Sequence, residues 1–305
     1  MTPIRHILAA TDLSPPARHA VNRGFQLAAA SGARYTVLHA LHLGPLDTLR
    51  GLLGDGSAQI TQGLEAEARE ALAGQLADPA HHQGVAASQQ VRCGSPTDVI
   101  TANADAVDAD LLVVGARGEA FLRHALLGST ASRLLRKSTA RPVLMVKLAP
   151  QQPYRRVLVP VDFSPASAEA LRLARRLMPG AHLILMHVFH VPFEGRLSYA
   201  GVDEAAIHTY RRRRREDALQ HLHALAAGAG VAPGCYSVLV PHGDPAQQII
   251  AHEQEHSADL ILIGKHGTEL TEELLLGSVT RRVLSESRSD VLVIPDPRRA
   301  ENAHL

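Results

Sequence analysis

Gly115-Ala116-Arg117-Gly118, nine residues, then Gly128-Ser129: the pattern returns as Gly264-Lys265-His266-Gly267, nine residues, then Gly277-Ser278. Each copy follows an apolar run that opens on Asp-Leu, from Asp110 to Val114 and from Asp259 to Ile263. Each leads into an expected helix, starting at Ser129 and at Ser278. A buried strand, a glycine loop and a helix N-terminus together form an anion site. Glycine lets the backbone approach a ligand, and free N–H groups at a helix start point at phosphate oxygens. The stretch therefore reads as a nucleotide-phosphate loop.

Outward from the first copy, periodicity predicts strands at 4–10, 34–40, 85–92, 110–114 and 142–147, separated by helices at 16–31, 59–77, 96–106 and 129–137. Residues 43–56 read as a loop. Ser14 before Pro15 is a helix N-cap signal, and Gly32 is a stop. After a short polar linker at 149–153 the order restarts. Strands are expected at 156–161, 182–189, 236–241, 259–263 and 291–294, and helices at 166–178, 203–227, 245–256 and from 278. Landmarks keep one offset: 162 − 12 = 150 for the aspartates, 187 − 39 = 148 for the histidines, and 264 − 115 = 149 for the glycines. Two tandem copies of one fold account for this. Apolar strands alternating with helices imply a parallel sheet covered on both faces. The expected domains are 1–148 and 154–296, with 297–305 a polar tail.

Composition sets limits. The 305 residues suffice for two domains of about 150. With 31 basic and 30 acidic residues the net charge is +1, so there is no global pull toward nucleic acid or an anionic membrane. Cys93 and Cys235 make no disulfide framework and read as buried or half-buried free thiols in a reducing compartment. No secretory signal and no run of about 18 apolar residues is present. A cytoplasmic protein is the expectation.

These residues resemble the universal stress protein (UspA-like) family in both halves. The features are a first strand ending in Asp-Leu-Ser or Asp-Phe-Ser, a second ending in Leu-His or Met-His, a Gly-x-Pro helix start, and the Gly-x2-Gly-x9-Gly-Ser signature. The resemblance implies an α/β fold: two flavodoxin-like, adenine-nucleotide α-hydrolase-like domains, each a five-stranded, mostly parallel sheet with helices on both faces. It implies ATP as ligand, held on the phosphate side by Gly115, Gly118, Gly128, Ser129 and Thr130, and by Gly264, Gly267, Gly277, Ser278 and Val279. The base and ribose side would use Asp12, Ala40 and Val114, then Asp162, Val188 and Ile263. Family members pair through their last strands; a tandem chain would do so internally, 143–146 against 291–294, as a pseudo-dimer. Whether two chains pair further into a homodimer stays open. In one departure, Ala10 stands where the family often has the proline kept at Pro160.

Asp12 and Asp162 could accept from ribose hydroxyls or hold Mg²⁺ through water, or serve as Asx-turn and cap residues with Ser14 and Ser164. Ser129 and Ser278 could be N-caps as well as phosphate contacts. Arg117, Arg123 and His124 make the first loop basic, whereas Glu269, Glu272 and Glu273 accompany Lys265 and His266 in the second. The two sites should therefore differ in affinity. His39 with His42, His187 with His190, and His252 with His256 raise a zinc reading, weak without a third ligand. Arg211 to Arg215 point all round a helix and make no single nucleic-acid face. No catalytic apparatus is expected: no P-loop lysine, no Gly-x-Ser-x-Gly elbow and no zinc-hydrolase pattern. The leading reading is an ATP-binding stress-response regulator. Its alternatives are a slow ATPase or autokinase using the aspartates, and a scaffold with structural nucleotide. A dinucleotide dehydrogenase is disfavoured, because no Gly-x-Gly-x-x-Gly follows the first strand.

Overall fold

The computed structural model describes residues 3–42, 56–78, 81–116, 128–137, 141–190, 204–267 and 276–297. The first half runs β1 (His6–Thr11), α1 (Pro15–Ser31), β2 (Arg34–Leu41), α2 (Gly56–Leu76), β3 (Ala87–Cys93), α3 (Pro96–Ala106), β4 (Leu111–Gly115), α4 (Ser129–Lys137) and β5 (Val143–Val146). The second repeats it: β6 (Arg156–Pro160), α5 (Pro165–Leu177), β7 (His182–Met186), α6 (Glu204–Gly228), β8 (Tyr236–Leu239), α7 (Pro245–Glu255), β9 (Leu260–Gly264), α8 (Ser278–Glu286) and β10 (Asp290–Ile294). β8 stops before the expected 241 because Pro241 has no N–H to donate to a ladder.

The strands form one sheet in the order β3-β2-β1-β4-β5-β10-β9-β6-β7-β8. Pairing within each half is parallel. The halves join through β5 and β10, antiparallel, with Val291 opposite Met145 and Val293 opposite Val143. That is the internal pairing of last strands expected above. Because the join is antiparallel, the carboxyl ends of the two sets of strands lie on opposite edges of the sheet.

Alternation along each strand sends side chains to two cores. Ile7, Ala9 and Val113 face α1 residues Val21 and Phe25, in a layer that also takes in Leu72 of α2, Leu173 of α5 and Leu222 of α6. Leu8, Leu112 and Val114 face the other layer, with Ile100 of α3, Leu134 of α4, Ile249 of α7 and Val283 of α8. Leu8, Leu134 and Val283 are fully buried, so each contributes about 1.5–3 kcal/mol relative to exposure. Helices thus cover both faces, as a parallel sheet requires.

The thiols correct an expectation. Cys93 and Cys235 are in no disulfide and are exposed, not buried. Cys93 ends edge strand β3 and Cys235 precedes edge strand β8, where only one neighbour covers the chain. Cys93 donates to Glu65 at 3.1 Å.

Two aspartates that open apolar runs tie strand starts together. Asp110 accepts from the backbone N–H groups of Arg5 and His6 at 2.7 and 3.0 Å. Asp259 does the same for Arg155 and Arg156 at 2.7 and 3.2 Å. The Asp-Leu repeat is therefore a strand-start device, remote from the glycine loops.

Candidate functional site

In each half the sheet order reverses direction at the first strand: β1 lies between β2 and β4, and β6 between β7 and β9. Helices leave to opposite faces there, opening a crevice at the strands' carboxyl ends. Asp12 and Gly115 stand at the first crevice, Asp162 and Gly264 at the second.

The strand-to-helix turns are built alike. Leu13 and Phe163 hold left-handed backbone, φ 66° and 61°, costly for a side chain with a Cβ. Aspartate fixes each bend. Asp12 Oδ1 accepts from the N–H and hydroxyl of Ser14 at 3.1 and 2.5 Å. Asp162 Oδ1 accepts from Ser164 N–H at 3.0 Å and Ser167 Oγ at 2.7 Å. Ser14 and Ser164 then cap α1 and α5. The Asx-turn alternative is therefore present in both halves. Ser167 was missed by sequence reasoning, although its place in the first turn after the cap was a usable signal. His39 Nδ1 lies 2.9 Å from Thr11 O, and His187 Nδ1 lies 2.8 Å from Val161 O. These histidines tether the second strand to the aspartate's own turn. Burial pushes the His187 imidazole below its ordinary pKa.

The glycine loops close on themselves at both ends. Gly128 N–H donates to Ala116 O at 2.9 Å, and Gly277 N–H to Lys265 O at 3.0 Å. Gly128 and Gly277 then accept the first helical bonds, from Ser132 and Arg281, each at 2.9 Å. So the glycines, not Ser129 and Ser278, occupy the N-cap positions, and the serines begin the helices. This corrects the cap expectation. Gly277 brings no side chain to cap α8, so the N-cap residue offers no side-chain oxygen to the first-turn N–H groups of Ser278, Val279 and Thr280. Ser129 and Thr130 hold the matching places in α4.

In the second loop Gly264 is tight for a Cβ, whereas Gly267 and Gly277 would hold one at ordinary van der Waals distance. A Cβ on Gly264 would sit 3.2 Å from both Ala166 Cβ and His266 O. One on Gly277 would meet Lys265 O at 3.4 Å and Gly267 N at 3.7 Å. One on Gly267 would point at Asp162 Oδ2, 3.7 Å away, so loop and aspartate converge. Thr280 Oγ1 donates to Gly264 O at 2.7 Å and pins α8 to the strand end. Val114 and Ile263 are buried among apolar side chains, while Ala40 near the end of β2 and Val188 two residues beyond β7 are half-buried. Gly118, Arg117, Arg123, His124, Glu269, Glu272 and Glu273 lie outside the described residues.

Lys265 departs from expectation. It is 3% exposed, and its Nζ donates to Arg136 O at 3.0 Å, at the C-terminus of α4 in the other half. A lysine committed to that helix end adds nothing to the second loop's phosphate side. The contrast expected between the basic and acidic inserts rests on residues outside the described ones. Lys147 reciprocates, donating to Leu284 O and Ser287 O at 2.9 and 2.8 Å at the C-terminal end of α8.

One zinc-hydrolase spacing is present, against expectation. His252-Glu253-Gln254-Glu255-His256 does carry the His-Glu-x-x-His spacing. Glu253 is nevertheless 2% exposed, and its Oε1 accepts from Arg288 and Ser289 N–H at 2.8 and 2.6 Å. It braces the approach to β10 and faces away from the histidines' open side, so it is not placed as a general base. Arg212 to Arg215 are exposed on α6.

The model of the universal stress protein family matches residues 3–147 and again 153–295. The chain belongs to the universal stress protein family. Universal stress protein Rv2005c of Mycobacterium tuberculosis is 30% identical over 193 residues, 61% of this chain and 62% of that relative's length. Universal stress protein YxiE of Bacillus subtilis is 29% identical over 146 residues, 46% of this chain and 99% of its own length. A crystal structure of a universal stress protein from Archaeoglobus fulgidus superposes with a TM-score of 0.66 at 22% identity, covering 97% of this chain and 100% of that one. This likeness supports the tandem universal stress protein fold. No helix among the described residues is long and apolar enough to cross a membrane.

Proposed function

We propose that this universal stress protein binds ATP at two sites, one per domain, and acts as a nucleotide-responsive regulator. The domains are 1–148 and 154–296, joined by 149–153. The observation that carries the reading is the convergence in the second half. There a glycine-capped helix start, a loop closed by Gly277 on Lys265, and Asp162 meet at the carboxyl edge of β6 and β9. Such a cradle suits phosphate, because N–H groups and the helix dipole both favour an anion. In this proposal Gly264, Gly267, Gly277, Ser278 and Val279 hold the phosphates, and Asp162, Val188 and Ile263 border the ribose and base. Gly115, Gly118, Gly128, Ser129 and Thr130, with Asp12, Ala40 and Val114, do the same in the first half. Mg²⁺ would join through water beside Asp162 Oδ2.

Holding is favoured over fast cleavage, because Asp162 Oδ1 already accepts two hydrogen bonds within its own turn. A reducing, cytoplasmic setting accompanies the proposal, favoured by two exposed thiols in no disulfide. Small molecules released from the purified protein, analysed by mass spectrometry, should include ATP. Calorimetric titration of ATP into wild type should give two sites, and Gly267→Ala should weaken one of them roughly tenfold or more, a cost of about 1.4 kcal/mol. No released nucleotide together with no ATP-induced thermal shift overturns the reading.

A further inference from the structure

Beyond the nucleotide crevices, the geometry points to a divalent transition-metal site on the last turn of α7, formed by His252, Glu255 and His256. One ligand atom from each lies within 4.8 Å of the others, the only such group among the described residues. The spacing i, i+3, i+4 places all three on one helical face. The two imidazoles stack at 5.6 Å with 23° between their planes. His252 Nδ1 is buried and lies 2.9 Å from the Glu255 carboxylate without a well-aligned hydrogen bond. A buried ring nitrogen left in that state, facing a carboxylate and a second imidazole, is a donor set in want of a cation.

The surroundings favour a cation as well. His256 is the C-cap of α7, where the helix carbonyls present partial negative charge. Arg156 donates to His256 O at 2.9 Å and fixes that turn. Metal–nitrogen bonds of about 2.0–2.1 Å require closer donors than these. The exposed Glu255 and the half-buried His252 and His256, on one turn, supply that by small rotations. Two imidazoles and one carboxylate suit zinc, nickel or copper over magnesium or calcium. Water would complete the coordination. Glu253 is held by the Arg288 and Ser289 amides, so the site binds metal without a hydrolytic base. Through the antiparallel join it lies on the sheet edge that carries the first half's crevice.

The test uses the full metal-free chain and calorimetric titration of ZnCl₂ against a weak chelator. Wild type should bind one zinc that is lost in His252→Gln/His256→Gln and weakened at least tenfold in Glu255→Gln. Co²⁺ substitution should give visible absorption that follows the same order. His256→Gln alone, at the half-exposed helix end, keeps the test valid should the double variant misfold. Retention of the zinc by these folded variants would place it among the other histidines of the 18 and overturn the assignment. Absence of zinc binding by wild type would overturn it equally. ATP binding is measured in parallel and should not change in the metal-site variants.

Discussion

His187 shows how one side chain links the crevice to pH. Its ring sits 4.6 Å from that of Phe163, and its Nδ1 faces Val161 O. Burial lowers its pKa below the ordinary 6.5. As pH falls below about 6.5 the unfolded chain takes up this proton before the folded one does, so stability contributed by neutral His187 is lost on acidification. Denaturant midpoints at pH 7.5 and 5.0 should therefore differ more for wild type than for His187→Gln. An equal acid loss in both would remove His187 from the account. The Asp12 and Asp162 turns were legible from the sequence, because a turn is specified by residues within about five positions. Lys265 was misread, because a side chain's destination is set by what packs against its strand.

Helix α1 meets strand β2 through one glycine. Tyr35, 2% exposed, packs edge-on against Phe25 at 4.8 Å, and its hydroxyl donates to Val21 O at 2.7 Å. A Cβ on Gly24 would come within 2.6 Å of the Tyr35 ring carbons, and the ring cannot turn away without giving up that bond. Gly24→Ala should thus destabilise by about 1–3 kcal/mol, despite the helix propensity that alanine adds. Thermal unfolding measures it, and a stabilised Gly24→Ala would refute the contact. Gly24 and Phe25 are both buried. Periodicity places a face and leaves the depth of approach to the partner.

At the scale of the molecule, a buried ionic cluster locks the join between the halves. Asp290, 0% exposed, accepts from Lys147 and Leu148 N–H at 2.7 and 3.0 Å and from the Tyr154 hydroxyl at 2.5 Å. Arg23 Nε stands 3.5 Å from the same carboxylate, and its guanidinium covers the Tyr154 ring at 3.9 Å. Arg23 also donates to Gln152 O, which holds the linker to α1. Burial and the Asp290 charge keep the Tyr154 phenol well above its ordinary pKa, hence protonated and donating. Asp290→Ala would strand Arg23 and three donors, and should cost about 3–5 kcal/mol. Calorimetry should show a lower melting temperature. A loss under about 1 kcal/mol would mean that the halves are held by the β5–β10 ladder and its side chains alone.

The sequence by itself determined the repeat, the α/β class and the strand-end aspartate turns. Each is written in local spacing or in a fixed offset. It also contained His252, Glu255 and His256, but two positions of helical phase separate Glu255, which groups with the histidines, from the buried Glu253. Only the tertiary structure decided the antiparallel join, the crossing of Lys147 and Lys265 to opposite helix ends, and the Arg23–Asp290 cluster. Those contacts link residues more than 100 positions apart, and burial, not local preference, selects them.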